Sequence, residues 1–139
     1  MAAWHLLVIE DNEDNRTLIK FALENKTDWE VLTTSNGTEG ITKAKTERPD
    51  VILLDLVIPD MDGLTVCDVL KSNLFTCTIP VIFITAMVEA KVLARLEATL
   101  AVGVITKPLD VINLDLEIAK ICQWEINSYL SWFISINDC

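Results

Sequence analysis

Short runs of consecutive apolar residues alternate along this chain with longer segments in which apolar positions recur at helical spacing. The runs predict strands at His5–Glu10 (HLLVIE), Trp29–Thr34 (WEVLTT), Val51–Asp55 (VILLD), Pro80–Thr85 (PVIFIT) and Val102–Thr106 (VGVIT). Between Asp14 and Asn25, residues Leu18, Ile19, Ala22 and Leu23 fall on one face of a helix. Further helices are predicted at Thr38–Glu47, after the Asn36-Gly37 turn, and at Leu64–Ser72, Glu89–Leu100 and Val111–Gln123.

Strands that alternate with helices imply a parallel sheet covered on both faces, with right-handed crossovers. The near-continuous apolar runs are what burial on both faces requires. The expected fold class is therefore α/β, a doubly wound five-stranded parallel sheet, taken with the strand order 2-1-3-4-5 that such a sheet can have. All strands then end at one edge, outside which ligands bind in such sheets. Glu10 and Asp11 follow the first strand there, Asp55 ends the third, Thr85 ends the fourth, and Lys107 follows the fifth.

Composition narrows the partners. A chain of 139 residues with 51% hydrophobic and 23% charged residues is expected to form one domain. A net charge of −10 supplies no basic footprint for nucleic acid or an anionic membrane, and points to protein or cation partners. The four cysteines form no CxxC pair and are accompanied by a single histidine, so neither a zinc site nor a disulfide framework is signalled. The start, MAAWHLLVIEDNEDNR, has no basic region before its apolar run and reads as a first strand, with the cytoplasm as the expected location.

Asp55 raises the chemical question, because an acid at the end of VILLD loses hydration that a surface acid keeps. With the first and third strands as neighbours about 4.8 Å apart, Glu10, Asp11 and Asp55 share one small pocket. Such carboxylates raise one another's proton affinity unless a cation neutralises them. Oxygen ligands in a water-accessible pocket suit Mg²⁺. A metal, an ammonium and a hydroxyl around one acid suit phosphoryl transfer, with Asp55 as nucleophile, Lys107 neutralising charge and Thr85 donating a hydrogen bond. Asp60 and Asp62, in PDMDG, read as turn and helix-start residues outside the site.

The series VIEDNEDN, PDVILLDLVIPDMDG, IPVIFITA and ITKP resembles the receiver domain of bacterial two-component response regulators, in its stand-alone, chemotaxis-regulator-like form, over residues 5–122. The resemblance implies a flavodoxin-like fold, Asp55 as phosphoacceptor, and Mg²⁺ bound by Glu10, Asp11, Asp55 and the backbone carbonyl of Val57. It implies Thr85 as switch hydroxyl, Lys107 as phosphoryl partner, a cis Lys107-Pro108 bond and a small residue at Ala86. The implied donor is a histidine kinase or histidine phosphotransfer protein, and the implied reader a downstream protein target. The chain would catalyse only its own phosphorylation and slow dephosphorylation. Val57 and Met87 occupy positions that in this family flank the attacking water, and neither side chain can orient one.

Two features depart from the family pattern. Val104 stands where receivers carry a Tyr or Phe, and it has no ring to swing between buried and exposed poses. The chain also continues past the predicted receiver, residues 1–123, into an apolar extension, residues 124–139, too short for an output domain and too polar for a membrane span. Trp124, Tyr129, Leu130, Trp132, Phe133, Ile134 and Ile136 lie in it, and a homodimer through the fifth helix and this tail is expected. The alternative function is a pseudo-receiver interaction module independent of phosphorylation. A flavin-binding reading fails because EDNEDN lacks a phosphate cradle, and a dehalogenase-type phosphatase reading fails because Val57 stands where a second acid belongs.

Overall fold

The structure, a computed structural model, describes residues 4–124. Its strands are β1 (His5–Ile9), β2 (Glu30–Thr34), β3 (Val51–Asp55), β4 (Val81–Thr85) and β5 (Gly103–Thr106). They alternate with helices α1 (Glu13–Lys26), α2 (Gly37–Glu47), α3 (Gly63–Lys71), α4 (Ala90–Glu97) and α5 (Leu114–Cys122). The strands pair in parallel, as the alternation of elements predicted, and take the expected order β2-β1-β3-β4-β5.

Successive strand residues point to opposite faces, and each face has its own core. Leu7, Ile9, Ile52, Leu54, Val81 and Phe83 pack with Val66, Leu70 and Leu96 on the side of α3 and α4. Leu6, Val8, Val51, Leu53, Ile82 and Ile84 pack with Ile19, Leu23, Leu114 and Ile118 on the side of α1 and α5. Because β3 and β4 are buried throughout, the acid that ends β3 and the threonine that ends β4 are buried with them.

Some helix ends fall short of the periodicity, for local reasons. The helix predicted to reach Leu100 stops at Glu97, where the Thr99 hydroxyl donates to the Leu96 carbonyl at 2.6 Å and accepts from the Ala101 amide at 3.2 Å. The last helix starts at Leu114 and not Val111, because Asn113 donates through backbone and side chain to Asp110 and holds a turn before it. It is capped by Gln123, whose left-handed backbone (φ 59) turns the following Trp124 N–H back to the Ala119 carbonyl at 3.0 Å.

Trp124 corrects the grouping of all the C-terminal aromatics as surplus to the domain. It stacks on Trp4 with ring centroids 4.0 Å apart and meets Trp29 edge-on at 5.2 Å, closing the α1/α5 core. The segment to which self-association was assigned, 125–139, lies outside the described residues. Cys77 is disulfide-bonded, a bond that the cysteine spacing did not signal, while Cys67 and Cys122 are not in disulfides. Burial, followed by the charge of Asp50, pushes the Cys122 thiol up to about 12, so it stays protonated. Among the described residues, no helix is long and apolar enough to cross a membrane.

The IPDMDG loop is fastened at three points. Asp62 caps α3 by accepting from the Leu64 amide at 2.9 Å. Gly63 lies so close to the end of β3 that a Cβ there would stand 2.7 Å from the carbonyl oxygens of Asp55 and Leu56, a space only glycine leaves open. Asp60 reaches back to α2, accepting from the Thr38 hydroxyl at 2.7 Å and from the amides of Gly37 and Thr38 at 2.7 and 2.9 Å. The Thr38 hydroxyl and these two amides lower its carboxyl from 3.8 to about 2. A depressed carboxyl contributes stability above its unfolded pKa and loses it as pH falls through the folded one. Asp60→Ala should therefore be less stable than wild type near pH 6, with the gap closing between about pH 4 and 2; chemical denaturation at each pH reads this, and a pH-independent gap would contradict it.

Candidate functional site

Sheet register builds the site. Ile9 pairs with Leu54, so Glu10, one residue on, stands level with Asp55, and Asp55 itself pairs with Ile84 beside Thr85. Thr85 pairs with Thr106, and the Lys107 amide donates to the Thr85 carbonyl at 2.8 Å before the cis Lys107-Pro108 peptide. Residues distant in sequence thus meet at one sheet edge.

Lys107 lies at the centre. Its Nζ donates to Asp55 Oδ2 at 2.8 Å and lies 2.9 Å from Glu10 Oε1, bridging two carboxylates whose side chains are 7% and 1% exposed. The Val57 amide donates to the other Asp55 oxygen at 3.0 Å. Glu10 further accepts from the Asn12 amide at 3.2 Å and Asn15 Nδ2 at 3.3 Å. Asp11 is exposed, yet one of its carboxylate oxygens belongs to a group with those of Glu10 and Asp55 that all lie within 4.8 Å of one another.

The electrostatics follow from this crowding. Burial raises the Glu10 carboxyl above its usual range, and the neighbouring Asp55 adds to the rise against the opposing pull of Lys107. Burial alone would lower the Lys107 ammonium, but its bonds to Asp55 and Glu10 and their charges outweigh burial and raise it. The pocket therefore keeps its cation and gathers oxygen donors around it, the donor set that a hard dication takes.

Thr85 is buried at the same edge, and its Oγ1 accepts from the Met87 amide at 2.9 Å. Ala86 is exposed beside it. Val57 and Met87 form an apolar rim, 59% and 43% exposed. Val104 is half-buried against the α3/α4 core.

Asn12, Asn15 and Arg16 were missed as site residues. The Asn-Asp run carried a visible capping signal, and Asn12 does cap α1, accepting from the Asn15 amide at 2.9 Å. The attachment of that first turn to Glu10 depends on tertiary geometry and left no such signal.

The chain matches the response regulator receiver domain family over residues 6–119. It belongs to that family. Among curated relatives, this receiver is 38% identical over 84 residues to the alkaline phosphatase synthesis transcriptional regulatory protein PhoP of Bacillus subtilis, covering 60% of this chain and 34% of that protein. It is 34% identical over 122 residues to the response regulator PleD of Caulobacter vibrioides, covering 87% of this chain and 26% of that protein. It thus spans about a third or less of these two relatives. It is also 34% identical over 106 residues to the polar-differentiation response regulator DivK of Brucella anthropi, covering 76% of this chain and 85% of that one.

Solved structures similar to this receiver include the chemotaxis protein CheY4 of Vibrio cholerae, with a TM-score of 0.80 and 23% identity over 86% of this chain and 99% of that one, a likeness of fold. A two-component response regulator from Clostridium difficile superposes with a TM-score of 0.80 and 26% identity over 90% of this chain and 99% of that one. Receiver domains bind Mg²⁺ at an acidic pocket, and interact with histidine kinases and downstream targets.

Removing the central ammonium tests the site's internal balance. Lys107→Met, with divalent metal chelated, should lose about 1–3 kcal/mol at pH 7, because Glu10 and Asp55 are left buried without a countercharge. A raised lysine contributes stability below its unfolded pKa and loses it as pH rises through the folded one. The raised Glu10 works the other way in acid: once it holds its proton the lysine has less charge to neutralise, so the deficit should shrink as pH falls through the carboxylate range. Urea denaturation across that range measures it, and equal stability at pH 7 would contradict the balance.

Proposed function

We propose that the chain accepts a phosphoryl group on Asp55 from the phosphohistidine of a histidine kinase or histidine phosphotransfer protein, and that a downstream protein reads the result. The observation that carries this reading is the Lys107 ammonium held between Asp55 and Glu10, with the Asp11 carboxylate alongside. The ammonium is bonded to the carboxylate that would attack and faces the charge that arrives with the phosphoryl group.

In the proposed reaction an Asp55 carboxylate oxygen attacks phosphorus, the bond from phosphorus to the donor nitrogen breaks, and the electron pair leaves with the imidazole. Lys107 is already within reach of the acceptor oxygen and faces the charge carried by the transferred group. Thr85 exchanges its bond from the Met87 amide for one to the phosphoryl oxygens, which links the modification to the β4–α4 loop. Glu10, Asp11, Asp55 and the Val57 carbonyl would hold Mg²⁺, which when bound supplies charge neutralisation to the phosphoryl oxygens. We assign residues 1–124 to the receiver, with Trp124 packed on its core, and 125–139 to an extension, and propose a cytoplasmic location.

Incubation with acetyl phosphate and Mg²⁺ should add the mass of one phosphoryl group in an acid-labile form. Asp55→Asn should add none, because an amide is no nucleophile, while remaining folded. Stoichiometric incorporation in that variant would refute the assignment. A chain that folds, binds Mg²⁺ and takes no phosphoryl group from either acetyl phosphate or a kinase would instead be an interaction module.

The apolar rim sets the lifetime of the product. Val57 and Met87 are exposed beside Asp55 and offer an attacking water neither acceptor nor donor from their side chains. Val57→Asn should dephosphorylate several-fold faster than wild type when the donor is removed and the phosphorylated fraction is followed in time. An equal or slower rate would contradict this role for the rim.

A further inference from the structure

Arg16 occupies the first turn of α1, where a cation opposes the positive end of the helix dipole. Local helix energetics therefore disfavour it, and its partners lie outside the helix. Its Nη1 donates to the Glu10 carbonyl at 2.9 Å and to the Asp11 carbonyl at 2.8 Å. These belong to the two acids that approach Asp55 from the β1–α1 loop.

The two acids are held differently. The Glu10 carboxylate is bonded by the Asn12 amide and Asn15 side chain and paired with Lys107. Among the described residues, the Asp11 carboxylate accepts no hydrogen bond, so its position is set through its backbone. Arg16 is half-buried and bonds that backbone, through a partly buried contact to the Glu10 carbonyl and an exposed one to the Asp11 carbonyl.

We infer that Arg16 is a positioning residue for the divalent cation: by bridging the carbonyls of Glu10 and Asp11 it fixes the turn that presents both carboxylates to Asp55. The inference rests on the metal reading proposed above and deepens it. Arg16 touches neither phosphorus nor metal and acts through the loop it holds. Its charge lies behind the acids, where it also lowers the cost of bringing them together.

The test is Mg²⁺ titration of the full chain by calorimetry, with the melting temperature of the metal-free protein measured beside it. Arg16→Gln should bind Mg²⁺ about 10-fold more weakly, as for partners one step removed from a metal. Its metal-free melting temperature should stay within about 2 °C of wild type, since the substitution removes a cation from the wrong end of a helix. Arg16→Lys, which keeps a cationic donor, should recover most of the affinity.

Unchanged Mg²⁺ affinity in Arg16→Gln, or a fall in melting temperature with affinity intact, would overturn the inference. Arg16→Met, which keeps the aliphatic stem and drops the donors, repeats the comparison; if neither variant folds, the role is structural and the inference is overturned. Asp11→Asn separates the two levels. If wild type shows no Mg²⁺ binding that Asp11→Asn weakens, the metal reading falls and the inference with it. If that control behaves as expected and Arg16→Gln matches wild type, only the inference falls.

Discussion

One ammonium group between two buried carboxylates organises this molecule. Glu10 and Asp55 lie on neighbouring strands of a parallel sheet, in a place where burial penalises charge and proximity penalises it again. Lys107, delivered by a third strand, meets both within hydrogen-bonding distance and keeps its proton because of them. The arrangement is under electrostatic tension: three carboxylate side chains converge on one space, and Lys107 pairs with two of them. A site held in that condition is ready to accept further positive charge, and to bind an anionic group once that charge has arrived.

The scaffold makes this possible by fixing everything around the site. Parallel pairing carries the ends of β1, β3, β4 and β5 to one edge, each within a residue of its neighbour, and two separate cores clamp the sheet from both sides. The loops at that edge are tied at their roots. Gly63 lets α3 begin against the carbonyls of Asp55 and Leu56, Asp60 anchors the same loop to α2, and Arg16 and Asn15 bind the β1–α1 loop to the first turn of α1. Val57 and Met87 stand exposed at the same edge as an apolar rim.

The fold was legible because both periodicities were strong: apolar runs marked the buried strands, and each strand appeared within a residue or so of its expected bounds. Helix ends were less legible where side chains such as Thr99 and Asp110 diverted the backbone into turns. The convergence of Glu10, Asp11, Asp55, Thr85 and Lys107 followed from topology, since acids and a lysine at the ends of parallel strands must share an edge. What the sequence did not disclose was attachment between elements and loops through ordinary residues. Nothing in PDMDG signals that Asp60 belongs to α2, and nothing in EDNEDNR signals that Arg16 grips the carbonyls behind the acids. Trp124 was misread for the same reason, because its partners Trp4 and Trp29 lie far away in sequence.

Of the two carboxylates paired with Lys107, Asp55 is the one proposed to form a bond to phosphorus. Treating the phosphorylated chain with borohydride reduces an acyl phosphate to the alcohol, which converts the modified aspartate to homoserine and leaves every free carboxylate unchanged. Peptide sequencing by mass spectrometry should then find homoserine at position 55 and aspartate at positions 11, 60 and 62. Homoserine at any of those other positions, or aspartate retained at 55 in protein that has demonstrably taken up phosphate, would contradict the account.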